Sequence, residues 1–98
     1  MLGDKVTAEE AEELGMIFKV ISSESFNEEV EKLAVKLANM PTKALGLIKE
    51  LLNKSNTNTL EQQLELEGKL QIEAALSEDY TEGVNAFMEK RKPIFKGK

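Results

Sequence analysis

The sequence predicts an all-α chain of about five helices, and three observations carry that prediction. Helix-opening patterns recur, with Thr7/Glu10, Ser25/Glu28, Thr59/Gln62 and Asp79/Glu82 each pairing a capping side chain with an acid or amide three residues on. Apolar residues then repeat at intervals of three and four rather than two. Breakers (Gly15, Pro41, the polar run "SNTNT" and Pro93) fall between the periodic segments.

The first helix follows Thr7, with Ala8, Ala11 and Leu14 on one face and Gly15 placed to end it. The run "MIFKVI" after it reads as a short strand or an extended buried stretch, near residues 17–21. The second helix starts near Ser25 and carries an apolar stripe of Phe26, Val30, Leu33 and Leu37. Pro41 ends it and suits the first turn of a third helix, "TKALGLIKELLNK", whose Ala44, Ile48, Leu51 and Leu52 share a side. Thr59 and Gln62 open a long fourth helix through about Leu76. Its leucines and isoleucine spread beyond one stripe, which places it centrally in the domain or against a partner subunit. Asp79 with Glu82 is expected to cap the fifth helix. Val84, Phe87 and Met88 form its apolar side, and Lys90, Arg91 and Lys92 crowd its last turn, where cations meet the negative end of the dipole.

Composition narrows the function. The chain has 98 residues, a length that suits one domain of modest size, and its 41% hydrophobic content is too high for a disordered chain. Without cysteine there is no disulfide framework and no thiolate metal site. Without histidine the commonest general base and metal ligand are missing, and no serine can be activated as in a Ser–His–Asp triad. No glycine-rich phosphate loop occurs, and no pair of carboxylates stands out, so no catalytic or metal-binding residue is assigned. No apolar run has membrane-spanning length, and a soluble cytoplasmic chain is expected. Residues 90–98 hold five of the thirteen basic residues and no acid, leaving eight bases against eighteen acids elsewhere. An acidic body argues against nucleic acid as the main partner; the basic end suits a small anion or a helix dipole.

Three segments together carry a resemblance. "GDKVTAEEAEELGMIFKVI" resembles the segment joining core to C-terminal helices in the crotonase superfamily of enoyl-CoA hydratases and isomerases. "MPTKALGLIKELLN" is similar to the helix that follows, and "SEDYTEGVNAFMEKRKPIFKGK" to the family's C-terminal signature, with Asp79, Glu82, Gly83, Ala86, Phe87, Lys90, Arg91, Pro93 and Phe95 in matching order. The stretch from Pro41 onward most resembles the phenylacetate-degradation branch.

The resemblance implies the C-terminal helical domain of a crotonase (ClpP/crotonase-like) fold. Residues 1–21 would be the connector from an upstream spiral core and 22–98 the helical domain itself. The core supplies two backbone amides as an oxyanion hole, together with the catalytic acids, and none of these positions lies in this chain. The parent would be an enzyme acting on a coenzyme A thioester, and this piece alone is expected to be inactive and to hold no cofactor. Expected partners are the core of the same protein and further copies in a trimer or hexamer, with no nucleic acid and no membrane. Phe87 and Lys90 would lie near CoA bound to the neighbouring subunit. Gln71 stands where the hydratases carry a pocket aromatic, which fits a different acyl group.

The residues alone leave alternatives open. Phe87 could be core and Lys90 a dipole cap. The chain could be a free-standing helical module that takes a partner helix in an apolar groove, or a small self-sufficient enzyme. If it is a detached domain, the apolar residues Leu14, Met16, Ile17 and Phe18 should be left exposed.

Overall fold

The computed structural model describes residues 3–98. Five helices follow in order: α1 (Ala8–Glu13), α2 (Phe26–Ala38), α3 (Thr42–Ser55), α4 (Leu60–Ala75) and α5 (Glu78–Met88). There is no strand among the described residues. The chain forms two compact units, Met1–Leu33 and Ala34–Lys98, with the boundary inside α2.

In the first unit, α1 opens with the expected capping box. The Glu10 amide donates to the Thr7 hydroxyl at 3.2 Å, and the Thr7 amide donates to the Glu10 carboxylate at 2.9 Å. The Thr7 amide, then the Thr7 hydroxyl, hold the Glu10 carboxyl below its usual pKa. Gly15, at φ +70°, ends the helix as expected. The Gly15 amide donates to Glu12 O and the Met16 amide to Ala11 O, the paired bonds of a Schellman turn.

"MIFKVI" forms no strand. Leu14, Met16, Ile17 and Phe18 are exposed, Phe18 by 83%, as expected above for a detached domain. The turn explains the lack of a strand. It spends the Met16 and Ile17 amides on Ala11 O, and the Val20 amide donates to the Glu12 carboxylate at 2.8 Å, so no ladder can start.

α2 begins at Phe26, but the Ser25/Glu28 box does not form. The Ser25 hydroxyl sits 3.0 Å from the Ser22 hydroxyl instead. Glu28 pairs with Lys32 one turn later at 2.6 Å, and Glu29 is flanked by Lys19 and Lys32 at 2.9 and 3.2 Å. The stripe of Phe26, Val30, Leu33 and Leu37 stays exposed.

In the second unit, Pro41 is the N-cap of α3, one position before the expected first turn. The polar connection turns its side chains onto carbonyls freed at the end of α3. The Ser55 hydroxyl donates to Leu52 O and the Thr57 hydroxyl to Lys54 O. Thr59 and Gln62 form the predicted capping box of α4. Gln63, one residue on, donates to Leu51 O at 3.4 Å and accepts from the Asn58 side chain at 2.9 Å, tying α4 back to α3.

α4 packs against both α3 and α5, so it is central in this unit. Its buried residue is Leu70; Leu60, Leu64 and Ile72 on other faces are exposed. Of the described hydrophobic residues, only Leu70 and Ala86 are buried. Ala44 and Leu51 of the α3 stripe are half-covered while Ile48 and Leu52 are exposed, because only one side of α3 meets α4.

After α5 the chain turns back along the helix, and glycine decides where it fits. Gly97 has φ +75°, and a methyl group there would strike the Thr42 hydroxyl. Gly46, within α3, has open space around it. Gly97→Ala is therefore expected to destabilise the unit by about 1–3 kcal/mol, and Gly46→Ala to stabilise it by about 0.5–1 kcal/mol. Chemical denaturation of the two variants checks both signs.

Candidate functional site

The expected cap of α5 is displaced by two residues. Ser77, not Asp79, caps the helix: its hydroxyl accepts from the Tyr80 amide at 3.1 Å and donates to Ala74 O at 2.6 Å. Ser77 lies where the turn out of α4 presents its hydroxyl to the new helix, which leaves Asp79 and Glu82 inside the helix for another task. Both carboxylates hold the returning chain.

Asp79 is 3% exposed. Its two oxygens accept from the Lys96 amide at 2.6 Å and the Gly97 amide at 2.8 Å, and its own amide donates to Lys98 O at 3.1 Å. Burial of a carboxylate is tolerable only with such partners. Glu82 holds the nearer part of the return. It meets the Arg91 guanidinium in a two-pronged contact, 2.6 and 2.9 Å, and also accepts from the Ile94 amide at 2.7 Å. Between these anchors Phe95 lies over Gly83, where a Cβ would stand 3.7 Å from its ring.

The helix ends earlier than the sequence suggests. α5 stops at Met88 with Glu89 as its C-cap, so Lys90, Arg91 and Lys92 lie beyond the last turn rather than in it. Lys90 takes the left-handed conformation, φ 55°. Its amide donates to Phe87 O and the Arg91 amide to Ala86 O, a Schellman turn with lysine where glycine is usual. A side chain in that conformation costs about 1–2 kcal/mol, so its surroundings must enforce it.

Phe87 lies in the last turn of α5 and Lys90 just beyond its C-cap, three residues on. Phe87 is 82% exposed, so within this chain it is not a core residue. Its ring borders an apolar cavity of about 380 Å³, shared with Pro41, Ala74, Tyr80, Val84 and Phe95. The Lys90 ammonium has no ion-pair partner among the described residues. Arg91 is different, because its charge is taken up by Glu82 and by Glu89 at 2.6 Å. Gln71 is exposed on α4, with Glu67 beside a separate groove of about 310 Å³ between α3 and α4. No group of acids among the described residues could hold a metal ion.

The sequence reading missed Asp79, Glu82 and Arg91 as the fastening of this edge. Their spacing fits capping and dipole roles equally well, and only the reversal after Lys90 separates the two.

The Arg91 guanidinium, then the Ile94 amide, hold the Glu82 carboxyl at about 2, down from 4.5. A depressed acid stabilises the fold above its unfolded pKa and loses that contribution as pH falls through the folded value. The order of residues 91–94 is therefore expected to be constant above pH 4.5 and to fall as the pH drops toward 2. Their amide chemical shifts along an acid titration measure it.

The family described as enoyl-CoA hydratase/isomerase matches residues 1–98. The chain is 48% identical over 98 residues to the 1,2-epoxyphenylacetyl-CoA isomerase of Escherichia coli K12, covering all of this chain and 37% of that protein. It is 37% identical to a probable enoyl-CoA hydratase of Rhodobacter capsulatus, covering all of this chain and 38% of that one. Among solved structures, an enoyl-CoA hydratase from Geobacillus kaustophilus superposes with a TM-score of 0.89 at 44% identity, over 98% of this chain and 37% of its own. A putative enoyl-CoA hydratase/isomerase from Mycobacterium abscessus gives 0.92 at 34% identity, over 99% and 37%. The chain spans a little over a third of the length of these relatives. With the whole of residues 1–98 matched, the chain belongs to the enoyl-CoA hydratase/isomerase family.

Proposed function

We propose that this chain is the C-terminal helical part of an enzyme that isomerises or hydrates acyl-CoA thioesters, with 1,2-epoxyphenylacetyl-CoA isomerisation as the specific activity. The 48% identity to the Escherichia coli protein of that name supports the specific assignment. The role of this part is to complete the edge of the CoA site and to assemble subunits into a trimer or hexamer. The observation that carries it is the small covered core: every helix of three turns or more presents large apolar residues to solvent, including Leu60, Leu64 and Ile72 on α4. Such surface is favourable only when something else covers it.

The chemistry follows from what this chain has and lacks. An enolate formed from a thioester needs preorganised donors at its oxygen, and the proposed source of those donors is the upstream core. This chain contributes binding. The exposed Phe87 ring offers an apolar face to the adenine, and the unpaired Lys90 ammonium offers charge to a phosphate of CoA.

Titration of CoA into the chain, followed by amide shifts, tests the role of this edge. Shifts centred on Phe87 and Lys90 are expected, and Lys90→Gln should weaken them by about two- to fivefold, as for a solvent-exposed ion pair. Absence of any shift at these two residues overturns the CoA-facing role. Turnover of an enoyl-CoA by the chain alone would overturn the division of labour.

A further inference from the structure

We infer that Glu82, acting through Arg91, is a positioning residue for Lys90: the carboxylate–guanidinium fork fixes the left-handed turn that aims the Lys90 ammonium outward. The inference rests on the reading of Phe87 and Lys90 as a CoA-facing edge and adds what holds that edge in shape.

Lys90 has no glycine-like freedom, yet it occupies a glycine conformation. Both of its neighbours are pinned. On one side the Glu89 amide donates to Asn85 O, and the Glu89 carboxylate meets Arg91 Nε at 2.6 Å. On the other, the Arg91 amide donates to Ala86 O, and its guanidinium donates to both Glu82 oxygens and to Lys92 O. Glu82 also takes the Ile94 amide, so one carboxylate gathers residues 91 and 94 onto the side of α5. The turn between is left with its apex at Lys90, closed by the Lys90 and Arg91 amides on Phe87 O and Ala86 O.

The same geometry divides the labour within the basic cluster. Arg91 looks like an anion ligand by charge, but two carboxylates already occupy its donors. Its contribution is geometric, while Lys90 and Lys92 have no ion-pair partner among the described residues. Arginine suits the task because its planar fork matches a carboxylate at two points, which a lysine ammonium cannot do.

The test uses Glu82→Gln and Arg91→Lys. Glutamine keeps the size and one acceptor oxygen for Ile94, and lysine keeps the charge; each removes the fork. A residue at positive φ gives a strong intraresidue amide–Hα cross-peak, so Lys90 reports its own conformation without any ligand. In the unsubstituted chain that cross-peak should be strong, and in both variants it should weaken to the level of its neighbours. Amides of α3 and α4 monitor the rest of the fold; if Glu82→Gln disrupts them, Arg91→Lys gives the answer. A Lys90 cross-peak that stays strong in a folded variant overturns the inference. With CoA added, the shift at Lys90 should shrink in the variants by about threefold, the scale of an exposed ion pair. If CoA moves nothing in the unsubstituted chain, the CoA reading fails while the cross-peak still decides the positioning.

Discussion

A carboxylate can be buried only if donors surround it, and Asp79 is buried. Its donors are the Lys96 and Gly97 amides, seventeen and eighteen residues further along the chain. This pairing obliges the chain to reverse after α5 and run back beside it. Everything distinctive about the second unit depends on that reversal. It requires Gly97 to sit against Thr42, lays Phe95 over Gly83, and demands a tight turn at Lys90. Glu82 and Arg91 fasten the middle of the return, so two acids one turn apart on α5 hold the whole segment.

Helix existence was legible because it is local. Thr7, Thr59 and Gly15 act through groups three or four residues away, and each performs the role its pattern suggests. Ser25/Glu28 has the same pattern and fails, because Ser22 and Lys32 compete for the same side chains. Nothing in periodicity weighs such competitors. The fastening of α5 was illegible for a related reason. Asp79 and Glu82 satisfy a capping rule in sequence, while Ser77 meets the geometric need first and frees them for distant partners. "MIFKVI" misled because apolar content signals burial only when a covering element exists, and in its unit none covers Phe18.

The edge formed by Phe87 and Lys90 shows how resemblance and structure divide the work. Periodicity assigned Phe87 to the apolar side of α5, and it does lie there, but that side is open to solvent beside a cavity. The basic cluster reads as a block of charge, and the structure separates it into Arg91, which pairs with Glu82 and Glu89, and Lys90 and Lys92, which have no ion-pair partner among the described residues. A family whose members run to almost three times this length supplies a reason for the open surfaces.

The central claim is that acids on α5 hold the returning chain and so shape the edge. Asp79→Asn tests it most directly, since it preserves size while replacing one acceptor oxygen with a donor. Leaving a buried amide unpaired costs about 1–3 kcal/mol. Amide exchange at Lys96 and Gly97 is the measurement. Both amides should be protected in the unsubstituted chain and at least one should lose protection in the variant, with α4 amides unchanged. Equal protection of both amides in the two proteins would contradict it.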